Sequence, residues 1–205
     1  MHKQAINKQT QRVFSEIGKP LAQDFYLAGG TALAIQLGHR LSIDLDWFTG
    51  NQFSNSFLKN KLSGLGNFEL TGEDEGTVHG VLDDVRVSFL RYSYPLLFPL
   101  IDFENAKLAD ERDIAAMKID AVSSRGSKKD FVDLYFLLEK YSLPELIDFF
   151  EKKYSNIKFN KLHILKSLTY FEDAEKEPMP EMLKQANWDS IKKKITLETN
   201  KFLEA

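Results

Sequence analysis

The amino-acid pattern changes character near residue 104, and this change constrains the fold more than any other feature. Up to that point, short apolar runs typical of strands are interspersed with patterns typical of amphipathic helices. Beyond it, helical patterns follow one another to the C-terminus with almost no β signal. The sequence therefore predicts an α+β protein, with an α/β core over residues 1–103 and an all-helical domain over residues 104–205.

Turn and cap signals divide the first half into short elements. Two glycines follow the first apolar run, Gly38 is placed to end a helix, and Ser54 is placed to begin another. The last three β-rich runs are separated by polar turns, which is typical of an antiparallel meander. The predicted elements are a helix over Asn7–Ala22, a strand over Asp24–Ala28, a helix over Ala32–Leu37, a strand over Leu41–Phe48, a helix over Phe53–Leu65 and the meander over Asn67–Ser93.

Composition excludes several classes of protein. The 205 residues are 43% hydrophobic and 28% charged, a balance that permits a sizeable core and argues against disorder. Cysteine is absent, so disulfide scaffolds, thiolate metal sites and cysteine nucleophiles are excluded. The net charge of −3 gives no global reason for nucleic-acid binding. A polyanion would need a local basic patch, for which Lys128–Lys129 and Lys192–Lys194 are the candidates.

No segment predicts a membrane location. The most apolar stretch, Tyr94–Phe103, is short and is interrupted by Pro95 and Pro99. The N-terminus is polar and lacks the apolar run of a signal peptide. We therefore expect a soluble, cytoplasmic protein.

Two aspartates on the predicted strand Leu41–Phe48 are candidate metal ligands. Because side chains alternate along a strand, Ser42, Asp44 and Asp46 are expected on one face. Carboxylates at this spacing can share a divalent cation, and hard oxygen ligands suit Mg²⁺. The alternative is a solvated polar face on an edge strand.

The turn that precedes this strand is a candidate phosphate site. Gly29, Gly30 and Thr31 lie between a predicted strand and a helix start, where free backbone N–H groups and the helix dipole favour phosphate. Glycine lets the backbone approach a ligand closely, and Thr31 adds a hydroxyl. The alternative is an ordinary turn in which Thr31 caps the helix. A phosphate cradle followed by a two-carboxylate strand is what a metal–nucleotide complex requires.

Charged side chains on apolar helix faces are the third candidate feature. A 3.6-residue period places Lys118 and Arg125 within the apolar face of the first helix beyond residue 104. On the next helix, Asp130 lies within the apolar face and Asp133 lies at its edge. Buried charges are costly unless they are paired or bound. In one interpretation Lys118 contacts nucleotide phosphates while Asp130 orients it or acts as a base. In the other, Lys118 or Arg125 forms an internal salt bridge with Asp130.

A family resemblance lies in the segment FYLAGGTALAIQLGHRLSIDLDWFT. It is similar to the signature of the AbiEii/AbiGii-type nucleotidyltransferases, the toxin components of abortive-infection and type IV toxin–antitoxin systems. A later segment resembles the second conserved region of that family, whereas the C-terminal part carries no matching motif. The residues that carry the resemblance are Gly29, Gly30, Thr31, Gly38, His39, Arg40, Ser42, Asp44, Asp46 and Phe48, then Lys118, Ser124, Arg125, Lys129, Asp130, Asp133 and Leu134.

The resemblance implies a polymerase-β-like nucleotidyltransferase core with a mixed sheet, followed by a helical domain that completes the active site. Such enzymes transfer a nucleoside monophosphate from an NTP to an acceptor, with Mg²⁺ or Mn²⁺ as cofactor. By this resemblance Asp44 and Asp46 bind the metal, and Lys118 and Asp130 join them in catalysis. The implied partners are the NTP, a tRNA or protein acceptor and a cognate antitoxin. The implied nucleotide ligands are Gly29, Gly30, Thr31, Arg40, Ser42, Lys118 and Arg125.

One departure from the family pattern concerns a third carboxylate, which nucleotidyltransferases of this fold usually have on a later strand. At the corresponding place in this sequence stands Ser88. A weakened second metal site favours an alternative function, a degenerate module that binds a nucleotide or a partner protein. A small-molecule nucleotidyltransferase of the antibiotic-modifying kind is a third possibility. Without metal, Arg40 is a candidate partner for Asp44 or Asp46.

Overall fold

Seven strands form one sheet in the computed structural model, which describes residues 1–204. The strands are β1 (Tyr26–Leu27), β2 (Leu45–Thr49), β3 (Phe68–Asp74), β4 (Thr77–Leu82), β5 (Val85–Arg91), β6 (Ile101–Phe103) and β7 (Ala106–Leu108). The helices are α1 (Lys8–Leu21), α2 (Gly29–Leu37), α3 (Asn55–Ser63), α4 (Glu111–Ser124), α5 (Lys128–Leu137), α6 (Leu143–Lys153), α7 (Lys161–Ser167), α8 (Glu172–Glu175) and α9 (Trp188–Glu204).

The sheet is mixed, and its strands lie in the order β3-β4-β5-β2-β1-β7-β6. β2 runs parallel to β5 and β1 runs parallel to β7, whereas the other neighbours are antiparallel. Strands β3, β4 and β5 form the predicted meander. The prediction of an α+β fold with a mixed sheet and a helical C-terminal region is confirmed.

Helix ends follow the local signals in the sequence. The side chain of Ser54 accepts a hydrogen bond from the backbone N–H of Phe57 at 3.3 Å, which caps α3. Gly38 ends α2 with φ +63°, the left-handed conformation that glycine adopts without strain. Helix α2 begins at Gly29, three residues earlier than predicted, so Thr31 lies inside the first turn and is not its cap.

The predicted strand Leu41–Phe48 is wrong in its first half, because β2 begins only at Leu45. The backbone N–H of Leu41 donates to the carbonyl of Glu181 at 2.8 Å, and that of Ser42 donates to the carbonyl of Ala5 at 2.9 Å. These partners belong to the C-terminal part and the N-terminus of the chain, so the segment before β2 is held outside the sheet. Its side chains therefore need not follow the strand alternation that the prediction assumed.

The sheet continues past the predicted boundary at residue 104. Strand β7 lies beyond it and pairs in parallel with β1, with Leu108 opposite Leu27. Six helices, α4 to α9, then follow within the described residues. The division into domains over residues 1–103 and 104–205 remains a prediction.

Packing places α4 beside the glycine turn. Trp47 of β2 stacks between Phe14 and Phe89, with ring centroids 5.6 and 6.4 Å apart, which fixes β2 in the core. Helix α4 contacts α2, α5, α6 and α7, and Ile114 and Ile119 on it are fully buried. The first turn of α2, the middle of β2 and α4 therefore meet in one place. Over residues 1–204, no helix has the length and hydropathy that crossing a membrane requires.

Candidate active site

Two adjoining cavities lie where β2, β5, α2 and α4 meet. The larger has a volume of about 350 Å³ and the smaller of about 100 Å³. Both are lined by Gly30, Asp46, Lys118 and Arg125, so they form one connected site. Every predicted site residue lines at least one of the two cavities. These residues are Gly29, Gly30, Thr31, Arg40, Ser42, Asp44, Asp46, Lys118, Arg125 and Asp130.

The sheet side of the site carries two carboxylates in different environments. The Asp44 side chain is 37% exposed, and its Oδ1 accepts a hydrogen bond from Nε of Arg86 at 2.9 Å. Asp46 lies on β2, opposite Ser88 of β5. Burial and then the nearby charge of Asp44 raise the pKa of Asp46, although the Ser88 hydroxyl, Lys118 and Arg125 partly offset this rise. In the free protein, the neighbouring positive charges and the Ser88 hydroxyl therefore do not fully offset the cost of burying the negative charge of Asp46.

The two glycines of the turn leave no space for a side chain. Gly29 has φ +68°, and a Cβ there would lie 3.2 Å from Oδ2 of Asp46. A Cβ on Gly30 would lie 2.5 Å from Nη2 of Arg40. The N-terminus of α2 thus approaches both Asp46 and Arg40 as closely as backbone can.

The hydroxyl of Thr31 is occupied inside the protein. Thr31 is buried. Its hydroxyl has two acceptors within hydrogen-bond distance, Ser42 Oγ at 2.8 Å and the backbone carbonyl of Asp44. These contacts fasten the segment before β2 to α2 and so position the two aspartates. The predicted contacts of Thr31 and Ser42 with phosphate remain predictions.

A buried ion network forms the helix side of the site, with Asp133 at its centre. Arg40 donates to Asp133 from Nε at 2.7 Å and from Nη2 at 3.0 Å, which is a bidentate pair. Lys118 Nζ lies 2.7 Å from Oδ2 of Asp133, and His39 Nε2 lies 2.7 Å from its Oδ1. Burial opposes ionisation, but Arg40 and Lys118 outweigh it and hold the pKa of Asp133 well below its usual range.

Asp130 is the second anion of this network. It accepts hydrogen bonds from Lys118 Nζ at 2.8 Å, Arg125 Nε at 2.8 Å and Ser127 Oγ at 2.8 Å. Burial opposes ionisation here too, but Lys118 and Arg125 lower the pKa of Asp130 to about 2. A carboxylate with this pKa is a weak base, so the geometry favours Asp130 as the group that orients Lys118 and Arg125.

The predicted salt bridge and the predicted site therefore coexist. Lys118 is held by Asp130 and Asp133 while it lines both cavities. Burial lowers the pKa of Lys118, but the two carboxylates outweigh burial and raise it. Arg125 differs, because its side chain is 65% exposed and can reach a ligand.

Two sequence-based expectations about the site are wrong. Arg40 pairs with Asp133 and not with Asp44 or Asp46, because Asp44 is held by Arg86 instead. Asp133 is not at the edge of an apolar face but fully buried, since α5 packs against α2 on one side and α9 on another. The signal that could have identified it is the pair His39-Arg40, two potential donors that need a buried acceptor.

The two candidate basic patches are partly paired within the protein. Lys128 is 5% exposed, and its Nζ donates to the backbone carbonyls of Glu175 and Glu177. Lys192 is paired with Glu175 at 2.6 Å. Neither run therefore presents a free row of cations, although Lys129 does line the smaller cavity.

The donor set of the sheet side fits a cation that enters together with phosphate. No cluster of three or more histidine, aspartate or glutamate side chains within residues 1–204 could hold a metal by itself. However, Mg²⁺ is usually bound through one or two carboxylates plus substrate phosphates. Asp44 and Asp46, beside a turn that offers backbone N–H groups to an anion, are a set of this kind.

Comparison with known proteins gives matches along the whole chain. The model of the family described as "Nucleotidyl transferase AbiEii toxin, Type IV TA system" matches residues 14–108 and 85–205. The uncharacterized protein aq_aa25 of Aquifex aeolicus (strain VF5) is 36% identical, over 96% of this chain and 97% of its own length.

Two solved structures share the fold. One, with the description "putative nucleotidyltransferase from H. pylori", superposes with a TM-score of 0.59 at 16% identity and covers 100% of this chain and 98% of its own. The other, JHP933 from Helicobacter pylori, has a TM-score of 0.50 at 16% identity, with the same coverage of both chains.

Proposed function

The chain belongs to the AbiEii nucleotidyltransferase toxin family of type IV toxin–antitoxin systems, and we propose that it transfers a nucleoside monophosphate from an NTP to RNA in a Mg²⁺-dependent reaction. The observation that carries this proposal is the convergence of a glycine turn, two carboxylates and two cations on one site. Gly30, Asp46, Lys118 and Arg125 line both of its cavities. Each of these groups recognises a different part of a metal–triphosphate complex.

The triphosphate would lie across the N-terminus of α2. Backbone N–H groups of the first turn and the helix dipole favour an anion there. Lys118 and Arg125 supply positive charge, and the pairing of both with Asp130 pre-organises them before substrate arrives. Arg125, whose side chain is 65% exposed, can turn to the phosphates with little change in geometry, whereas Lys118 stays bound to its carboxylates and lies beside them.

Asp44 and Asp46 would hold Mg²⁺, with Mn²⁺ as the substitute. When bound, the cation neutralises charge on the phosphates of the NTP. In the free protein, the exposed side chain of Arg86 forms a salt bridge with Asp44. Asp46, whose pKa is raised by burial, gains most from a positive partner.

The nucleoside would occupy the other end of the larger cavity. Its walls there are the apolar and aromatic side chains of Phe48, Leu90, Tyr92, Met117 and Tyr154. Flat apolar walls suit a base, which can stack on them. The phosphates then lie at the polar end, next to Asp46 and Lys118.

The acceptor would approach through a third cavity, of about 380 Å³, which shares Ser124 and Arg125 with the larger site cavity. His163, Lys166 and Tyr170 line it. The groove also contains Asp173, so Arg125 and Lys166 give it a small excess of positive charge beside the exposed ring of Tyr170. Cations next to an exposed aromatic ring are the pattern that binds single-stranded nucleic acid. We therefore favour an RNA strand, such as the end of a tRNA, over a protein acceptor.

The proposed biological role follows from the family. A toxin of a type IV system acts together with an antitoxin, so we propose a cognate antitoxin partner and a contribution to abortive infection. Both proposed substrates, an NTP and RNA, are cytoplasmic molecules, and we propose the cytoplasm as the location.

A second candidate function is a binding module without turnover. The observation that favours it is Ser88, which stands beside Asp46 where a further carboxylate is usual in this fold. Such a module would bind an NTP with Mg²⁺ and release it unchanged.

A label-transfer assay separates these possibilities. Purified protein is incubated with Mg²⁺, each α-labelled NTP in turn and either total tRNA or cell extract, with Lys166→Glu as the groove variant and Lys107→Glu as its surface control. We expect ribonuclease-sensitive label with the wild type and the control, and at least tenfold less with Lys166→Glu. Protease-sensitive label would indicate a protein acceptor, and binding without label would indicate the module.

A further inference from the structure

A row of three polar side chains crosses the sheet beneath the larger cavity. The register pairs Asp46 of β2 with Ser88 of β5, and Ser88 with His79 of β4. His79 Nδ1 lies 3.1 Å from Ser88 Oγ, and all three residues line the cavity. The row therefore extends from the candidate metal ligand to an imidazole on the third strand.

One ring nitrogen of His79 is used within this row. The hydrogen bond of the His79 ring within residues 1–204 is the one between Nδ1 and Ser88 Oγ. When the Ser88 hydroxyl turns towards the Asp46 carboxylate, its Oγ accepts from Nδ1–H of His79, since a carboxylate offers no proton of its own. In that tautomer Nε2 keeps its lone pair.

Other groups around the site are poorly suited to accept a proton. Asp130 has a pKa of about 2 and is held by three donors. Asp133 is fully buried within its own ion pairs. Asp44 is held by Arg86 in the free protein. Asp120 on α4 remains, since it lines the larger cavity and burial raises its pKa, but His79 is the candidate that continues the row from Asp46 across the sheet.

This inference rests on the proposed function and adds the base of its reaction. We propose that His79 Nε2 accepts the proton of the acceptor hydroxyl as that oxygen attacks the α-phosphorus. A new bond forms between this oxygen and phosphorus, the bond to the bridging oxygen of the β-phosphate breaks, and pyrophosphate leaves. His79 thereby takes the place of the carboxylate that Ser88 replaces.

Several charged groups lie around His79. On the same face of the sheet these are Asp46 on β2, Arg86 on β5, and Glu69 and Asp74 on β3. From helix α4, the charged side chains in the cavity are Lys118, Asp120 and Arg125. The pH profile of the wild-type enzyme therefore contains contributions from several groups of the site. Comparison with a His79 variant isolates the contribution of His79.

The test measures kcat/KM for label transfer against pH for the wild type and His79→Gln, with His2→Gln as the matched histidine control. We expect a loss of roughly 10²-fold or more at neutral pH with His79→Gln. We also expect the pH dependence of kcat/KM to differ between the two proteins, because a base that takes part in the reaction contributes its own titration to the profile. Stabilisation by NTP with Mg²⁺ should be unchanged, which shows that the variant is folded and binds.

Each outcome decides the matter. A His79→Gln enzyme with the wild-type rate and the same pH dependence would overturn the assignment and leave the proposed function intact. Wild-type protein that transfers no label would overturn the proposed function itself. If His79→Gln is unstable, His79→Ala is assayed with added imidazole: recovery of transfer supports the base role, and an activity equal to that of the wild type without imidazole contradicts it.

Discussion

The two sides of the candidate site treat buried charge in opposite ways. On the helix side, Asp130 and Asp133 have lowered pKa values because Arg40, Lys118 and Arg125 compensate them. On the sheet side, Asp46 has a raised pKa because burial and Asp44 disfavour its charge. The difference teaches that one set of charges is satisfied by the protein itself, whereas the other awaits a positively charged ligand.

Removal of Asp133 should give the largest effect. Asp133→Asn leaves Arg40 and Lys118 buried without their shared partner, so we expect a loss of about 3–5 kcal/mol in the free energy of unfolding. Urea denaturation measures it. Asp102→Asn is the control, since this side chain is 83% exposed and pairs only with Lys107. Equal effects in the two variants would refute the idea of a stabilising network.

Acid should weaken the helix side next. The pKa of Asp130 is about 2 in the folded protein against an ordinary value of 3.8. A lowered pKa gives stability that is present above pH 3.8 and is lost as pH falls through 2. We expect this carboxylate to account for about 2 kcal/mol of the loss between those values. Unfolding measured over this range should lose that contribution in Asp130→Asn, and an unchanged pH dependence would contradict the pairing.

Asp46→Asn should act in the opposite direction. A raised carboxylate pKa means that the folded state disfavours the charge, so stability falls as pH rises through the folded pKa. Neutralising the side chain should therefore stabilise the free protein at pH 7, by roughly 0.5 kcal/mol. The same variant should lose the stabilisation by NTP with Mg²⁺. Thermal unfolding with and without ligand tests both statements. If Asp46→Asn destabilised the protein as much as Asp133→Asn, the two sides of the site would not differ in how they treat buried charge.

The exposed pair of Arg86 with Asp44 should matter least for stability. Arg86→Ala removes a surface contact of a side chain that is 68% exposed, so we expect a loss below about 0.5 kcal/mol. This small effect should shrink further in high salt, because exposed charges are screened. A loss above 2 kcal/mol in urea denaturation would place Arg86 in a buried network after all.

The convergence of these residues on one place could be predicted because their signals are local. Two glycines before a helix, alternating aspartates and charges on apolar helix faces are visible within short segments, and the cavities bring all of them together. Helix ends at Ser54 and Gly38 are also set by neighbouring backbone groups. The family resemblance then supplied the expected chemistry and the fold.

Long-range contacts account for what could not be predicted. The segment before β2 leaves the sheet because Leu41 bonds to Glu181, a partner 140 residues away in sequence. Asp133 is buried because α2, α5 and α9 converge, which no local period reveals. The row from Asp46 to His79 depends on strand order, since β5 lies between β2 and β4.

The central claim is that this site transfers a nucleotidyl group, and one paired assay tests it most directly. Wild type and Asp46→Asn are incubated with RNA, Mg²⁺ and the same NTP labelled on either the α- or the γ-phosphate. We predict label on RNA from the α-labelled NTP alone, and none with Asp46→Asn. Transfer of the γ-label to RNA, or α-label transfer that survives Asp46→Asn, would contradict the account.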